Sequence, residues 1–293
     1  MAFGAQRYEV LRYICRAKTI KSGPDMRTPR FLRTLGARSR AMLRDAGEAL
    51  APRHCIICHE LLSREEEYVC TACYAQLPFT RTAAREGNAV ERIFWAKIPV
   101  RRANALLLYH HGGPASEVAF NLKYGRNPDV GTAFGHIMAE DLADTNFFQD
   151  IDAVVPVPLS PERERQRGYN QSYMLAQGIA QHVGLPVLDD AVVRTKDNPT
   201  QTGMTPQQRV ENVRGIFRLA RPEAVRGKHL LLVDDVVTTG ATLLSLGTTL
   251  AQAEGVSLSI MTLFVAGRHS EGADIFDEDR FENRMNTEIP HYT

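Results

Sequence analysis

A chain of 293 residues that is 44% hydrophobic and 24% charged has the makeup of a globular protein, with apolar material for one large domain or a domain plus a small accessory unit. It holds no apolar run of the roughly 18–20 residues that a bilayer span needs, and its first residues lack the apolar block of a secretory signal, so the expected compartment is the cytoplasm. Net charge is only +1, but residues 1–53 carry twelve Lys/Arg against four Asp/Glu, a net of +8 that leaves −7 on the rest.

Residues 1–30 show no sustained period and include the breaker cluster "KSGPDMRTPR", which predicts a basic, disordered tail. Met26 offers a second possible start. From Phe31 to Leu50 the apolar residues Leu32, Leu35, Met42, Leu43, Ala46 and Leu50 fall near helical spacing, and Pro52 ends the run, so an amphipathic helix is expected there. A compact cysteine segment follows at 54–78. Beyond a basic connector, "NALLLYHHGG" reads as strand and turn, and "PASEVAFNLKYG" as a helix with Pro114 in its first turn. "DAVVPVPLS" reads as a short buried strand broken by prolines. "NQSYMLAQGIAQHVG" reads as a helix with Leu175, Ile179 and Val183 on one face and Gly184 past its end. "VLDDAVVRT" and "HLLLVDD" are strands, "GATLLSLGTTLAQAEG" a helix, and "LSIMTLFVA" a closing strand. This alternation predicts an α/β fold with a mostly parallel sheet.

Cys55, Cys58, Cys70 and Cys73 form "CIIC" and "CTAC", eleven residues apart. Paired CxxC elements bring four thiolates to one point, as tetrahedral Zn²⁺ requires. Two disulfides or a redox pair are the alternatives; a reducing cytosol opposes the first, and two copies so close together oppose the second. Four thiolates leave no open position, so the zinc is expected to be structural, with metal binding supplying the folding energy of the short "LSREEEYV" insert. His54 and His59 flank the first pair as possible substitutes, and Cys15 is left over in the tail.

The strand "LLLVDD" ends in two carboxylates, Asp234 and Asp235, and a small loop with Thr238, Thr239, Gly240, Ala241 and Thr242 leads into the next helix. Ligands of parallel α/β sheets bind outside the carboxyl ends of strands. Adjacent carboxylates want donors or a cation, and ribose hydroxyls and Mg²⁺ both qualify. The loop's amides and the positive helix end form an anion site. Vicinal hydroxyls beside a phosphate satisfy both halves, which points to a ribose 5-phosphate. The absence of a preceding GxxxxGK[ST] loop weighs against a P-loop ATPase, and a receiver domain lacks the threonine loop.

"VDDVVTTGATL" resembles the phosphoribosyl-pyrophosphate (PRPP) signature of type I phosphoribosyltransferases. The cysteine ribbon, "NLKYGRN", "VVPVPLSPERERQRGYNQS", "RTKDNPTQTGMTPQQRVENVRGIF" and the PRPP motif, in that order, resemble the ComF/GntX family of late-competence proteins from about residue 31 to 266. The resemblance implies a type I phosphoribosyltransferase fold over 100–268, preceded by the amphipathic helix and four-cysteine zinc ribbon over 31–80; the basic tail at 1–30 and an acidic C-terminal tail at 269–293 lie outside it. It implies that Asp234 and Asp235 hold the ribose hydroxyls with Mg²⁺ nearby, that Thr238 to Thr242 cradle the 5-phosphate, and that Arg163, Arg167, Asn170 and Lys123, with Tyr124 beside it, face the phosphates. Residues 194–214 would form a mobile hood with Arg194, Lys196, Gln201, Arg209 and Asn212 as its family-like positions, Lys196 being the catalytic candidate beside Asp234 and Asp235. The implied role is PRPP binding in support of DNA uptake, with single-stranded DNA and competence DNA-translocation proteins as partners. The alternative is transfer of ribose 5-phosphate from PRPP to an unidentified nitrogen acceptor.

Overall fold

The computed structural model of the chain describes residues 52–82, 85–195 and 215–266. Two units are distinguished, Met1–Gln76 and Leu77–Thr293. The expected tails and the expected helix at 31–50 lie outside the described residues. In the first unit the cysteine segment ends in one short helix, α1 (Thr71–Ala75).

The second unit is built on four parallel strands. They are β1 (Val100–Leu108), β2 (Ala153–Pro156), β5 (His229–Val237) and β6 (Ser257–Val265), in the order β1-β6-β5-β2. β5 lies between two partners and is buried along nearly its whole length, which explains why its sequence is an apolar run rather than an alternating one. Its pairing with β6 runs from His229 opposite Ser257 to Val237 opposite Val265. Its pairing with β2 stops at Val233, opposite Pro156. Beyond that point no strand among the described residues lies against that side of β5. A small antiparallel pair, β3 (Val192–Arg194) and β4 (Phe217–Leu219), forms a second sheet.

Among the described residues the helices of this unit are α2 (Ala89–Phe94), α3 (Pro114–Tyr124), α4 (Asp129–Asp141), α5 (Pro161–Arg167), α6 (Gln171–Val183), α7 (Pro222–Val225) and α8 (Ala241–Leu250). α3 begins on its proline, and α6 ends at Gly184 in the left-handed conformation, as expected. Leu175 and Ile179 are fully buried, while Val183 is only half-buried. Three differences from the sequence reading stand out. α4 replaces what reads as featureless sequence. The strand expected over 187–195 shrinks to β3 plus a single bridge at Val187. β5 continues through Val237, so Asp234 and Asp235 lie inside the strand, not at its last residues.

α4 and α6 approach backbone to backbone. A Cβ on Gly135 would lie 2.2 Å from the Leu175 carbonyl oxygen, and one on Gly178 would lie 2.1 Å from that of Thr132. Those glycines let α6 lie flat against α4 and fix where its first turn points. We expect Gly178→Ala to destabilise the protein by about 3 kcal/mol, since neither backbone can retreat. Denaturant unfolding checks this, and an unchanged midpoint would contradict the close approach.

Candidate functional site

α6 starts where the pairing of β2 with β5 stops. Asn170 caps it, accepting the Ser172 and Tyr173 N–H groups at Oδ1 (3.0 and 3.4 Å) and donating from Nδ2 to the Val157 carbonyl (3.0 Å). The cap therefore ties the helix to the chain leaving β2. The next two side chains reach the acidic pair. Ser172 Oγ donates to Asp234 Oδ1 (2.9 Å), which also accepts the Asp235 N–H (3.0 Å). Gln171 Nε2 lies 3.5 Å from Asp235 Oδ2.

Lys123, in the last turn of α3, places its ammonium 3.4 Å from the same Asp235 oxygen. It is 3% exposed, and Asp234 and Asp235 are 8% and 6% exposed. The resemblance points Lys123 at a phosphate; the structure shows its contact with Asp235. Removing one partner of such a buried ion pair leaves an uncompensated charge, at a cost of about 3–5 kcal/mol. Arg167, at the end of α5, holds its guanidinium carbon 5.6 Å from the Tyr124 ring centroid, and the Tyr169 hydroxyl donates to the Leu122 carbonyl (2.8 Å). The end of α5, the start of α6 and the last turn of α3 thus converge on Asp235.

The two acids differ as a result. Burial, then the neighbouring Asp235 charge, pushes Asp234 well above the usual carboxylate range. Burial opposes ionisation of Asp235 too, but Lys123 and Arg167 outweigh it and hold that carboxyl low. A ligand arriving here meets one fixed negative charge and one carboxyl that ionises readily only when donors or a cation arrive.

The loop after β5 turns at Gly240, whose φ of 75° is left-handed. A Cβ there would lie 2.5 Å from Ile93 Cγ2 and 3.0 Å from Phe94 Cε1 of α2. The glycine is required twice, by its conformation and by the helix packed behind it. Thr238, Thr239 and Thr242 are half-buried, Ala241 is buried, and α8 opens without a side-chain cap. Its first-turn amides are the donors a helix leaves unused by its own backbone.

Arg163 sits in the first turn of α5, its N–H on Ser160 Oγ at 3.4 Å. Arg194 ends β3, 5.9 Å from the Phe217 ring centroid. Lys196, Gln201, Arg209 and Asn212 lie outside the described residues. A cleft of about 510 Å³ runs between the α5–α6 turn and β3, lined by Leu159, Asn170, Tyr173, Met174, Val192 and Arg194 among others. Gln171 and Ser172, absent from the sequence-derived candidates, are brought to the acidic pair only by the fold. Their position directly after the cap residue Asn170 was the available signal.

In the first unit the four cysteine sulfurs lie within 4.8 Å of one another. Cys58 Sγ and Cys70 Sγ are 3.7 Å apart, close to the about 3.8 Å edge of a tetrahedron with 2.3 Å metal–sulfur bonds. The Cys70 N–H donates to Cys55 Sγ (3.4 Å) and the Cys73 N–H to Cys70 Sγ (3.4 Å). Burial works against a Cys55 thiolate, yet backbone N–H groups of Cys58 and Cys70 bring its thiol down to about 7. Glu66 ties the insert to the second knuckle, accepting from the Ser63 N–H (2.9 Å) and from the Thr71 N–H (2.6 Å) and hydroxyl (2.8 Å). Four thiols so placed could bind a metal such as zinc. His54 is turned to the His59 carbonyl (2.8 Å).

The raised Asp234 carboxyl carries a stability signature. The fold keeps this proton at pH values where the unfolded chain has lost it, so stability falls as pH rises from the ordinary carboxylate range towards the raised value. Asp235, held low, contributes stability that is lost only as pH falls below that range. Ligand-free Asp234→Asn is therefore expected to melt higher than the unsubstituted protein at pH 8, with the gap closing by pH 4. A gap independent of pH in thermal melts would contradict the assignment.

Residues 169–289 match the phosphoribosyl transferase domain family. DNA utilization protein YhgH of Escherichia coli K12 is 29% identical over 64% of this chain and 79% of its own length. Competence protein F of Haemophilus influenzae is 27% identical over 64% and 86%, and competence protein ComFC of Bacillus subtilis 33% identical over 31% and 34%. A solved adenine phosphoribosyltransferase from Leishmania tarentolae superposes over 64% of this chain and 94% of its own at 12% identity and a TM-score of 0.31, too loosely to carry weight. With a parallel sheet carrying an acidic pair and its glycine loop, and with four clustered cysteines in the preceding unit, the chain has the type I phosphoribosyltransferase fold and is similar to the competence and DNA utilization proteins of the ComF family.

Proposed function

We propose that the second unit binds PRPP with Mg²⁺ and that the protein serves DNA uptake. The observation that carries the binding reading is the buried acidic pair directly ahead of a left-handed glycine turn and an uncapped helix start. Asp234 and Asp235 take the ribose hydroxyls, the amides and hydroxyls of Thr238 to Thr242 take the 5-phosphate, and Arg163, Arg167 and Asn170 border the pyrophosphate side. The carboxylate oxygens of the acids are ligands of the type Mg²⁺ prefers, and the metal would neutralise pyrophosphate charge. Lys123 keeps Asp235 ionised so that it accepts a hydroxyl without first losing a proton. Support for a role in DNA uptake comes from the relatives, named for DNA utilization and competence. Single-stranded DNA and DNA-translocation proteins are the proposed partners. Among the described residues no helix is long and apolar enough to cross a membrane, and we place the protein in the cytoplasm.

A second reading, transfer to a nitrogen acceptor, is favoured by the cleft beside the α5–α6 turn, whose tyrosine and proline lining suits a flat ring. In that reaction the acceptor nitrogen bonds to the anomeric carbon, the bond to pyrophosphate breaks, and the nitrogen's proton leaves to solvent or a base. Lys196 is the proposed hood residue stabilising the departing charge.

Titration calorimetry with PRPP and Mg²⁺ is expected to give micromolar binding that Asp234→Asn/Asp235→Asn weakens by about 10–100-fold; equal affinities would remove the site. Pyrophosphate release with one member of a nucleobase panel would establish transfer, and release with none would leave the binding role. We further propose that Cys55, Cys58, Cys70 and Cys73 hold a structural Zn²⁺. Elemental analysis should find one zinc per chain, lost in Cys58→Ser/Cys70→Ser; retention of zinc by that variant would refute the ribbon.

A further inference from the structure

The first three side chains at the start of α6 are not equally used. Both ends of the Asn170 amide are bonded within the fold, and the Ser172 hydroxyl is given to Asp234. Gln171 is different. It is 5% exposed, its nitrogen is turned to Asp235, and its carboxamide oxygen is buried with no hydrogen-bond partner among the described residues. Reversing the amide would not relieve this. It would set the oxygen 3.5 Å from a carboxylate oxygen, acceptor against acceptor. Buried acceptors are nearly always paired, so this one calls for a donor that none of the described residues supplies.

We propose that Gln171 selects the sugar, its carboxamide oxygen accepting the hydroxyl that distinguishes ribose 5-phosphate from 2-deoxyribose 5-phosphate. This rests on the sugar-phosphate reading of the site. The Gln171 carboxamide lies with its nitrogen 3.5 Å from Asp235 and its oxygen unpaired among the described residues, so a ligand that bonds both Asp235 and this oxygen must bring donors. Vicinal hydroxyls do so, and a phosphate does not. A site built to bond a hydroxyl also rejects the analogue that lacks it, because the protein acceptor is then left buried and unpaired. The two carboxylates bind any sugar hydroxyl strongly; the neutral amide adds discrimination.

The test compares the affinities of ribose 5-phosphate and 2-deoxyribose 5-phosphate by titration calorimetry, with EDTA present so that no metal bridges the oxygens. Gln171→Met keeps the length and removes the acceptor. Gln171→Glu keeps an acceptor oxygen at the same reach. The unsubstituted protein is expected to prefer ribose 5-phosphate. Gln171→Met should cut that preference about five- to tenfold, by weakening ribose 5-phosphate alone. Gln171→Glu should bind both more weakly because of the added charge, yet keep the preference. An equal loss for both sugars in Gln171→Met would make Gln171 a support for Asp235 and overturn the proposal, as would an unchanged preference. Should Gln171→Met fail to fold, loss of the preference in Gln171→Glu would overturn it, and retention would uphold it. Binding of neither sugar phosphate by the unsubstituted protein would overturn the site reading, and this proposal with it.

Discussion

Two adjacent carboxylates inside the central strand of a parallel sheet cost free energy in any fold, and the surroundings of this pair are arranged to offset that cost. Lys123 supplies a buried positive charge to Asp235, and Arg167 adds a second influence from α5. Ser172 supplies a hydroxyl to Asp234. These groups reach the pair only because β2 stops short of it and α6 begins there. The compensation is incomplete. Asp234 is held towards its protonated form, and the Gln171 oxygen finds no partner among the described residues. Unsatisfied acceptors in a packed interior store free energy that a ligand bringing donors can release.

The same economy shows on the loop side. Ile93 and Phe94 of α2 press against Gly240 from behind, so the turn that presents the α8 amides is braced by the core instead of floating in solvent. A braced turn loses less conformational freedom when a ligand docks. α4 plays a comparable part for α6. The glycine contacts between them leave little slack, and the Asn170 cap then fixes the first turn of α6 against the chain leaving β2. The site is thus assembled from the ends of elements whose middles are locked by packing, as a preorganised site requires.

Much of this is legible in the residues. The run of β5, the helix of α6 with its terminal glycine, the glycine loop and the cysteine pairs each carry a local signal that tertiary context has no cause to overturn. α4 escapes a reading of the sequence for an identifiable reason. Its Gly131 and Gly135 weaken the helical pattern, and they are present because α6 passes too close for a side chain. β3 is overextended on sequence because apolar residues over 187–195 read as one strand, whereas Val187 bridges to β2 and Val192 turns to pair with β4. The contact of Lys123 with Asp235 is not legible in the sequence, because the two lie on different elements and a lysine beside a tyrosine looks the same on paper whatever it meets.

The sequence by itself determined the identity of the acids, the glycine turn after them, the thiol quartet and the α/β alternation. Each of these rests on neighbours a few residues apart, where backbone geometry and chemical type decide the outcome. Only the tertiary structure decided which groups meet the acids. Ser172 reaches Asp234 across sixty-two residues of chain and Gln171 reaches Asp235 across sixty-four. Such pairings follow from how strands order in the sheet, where β2 ends and how closely two helices pack, and none of these is encoded within a local window.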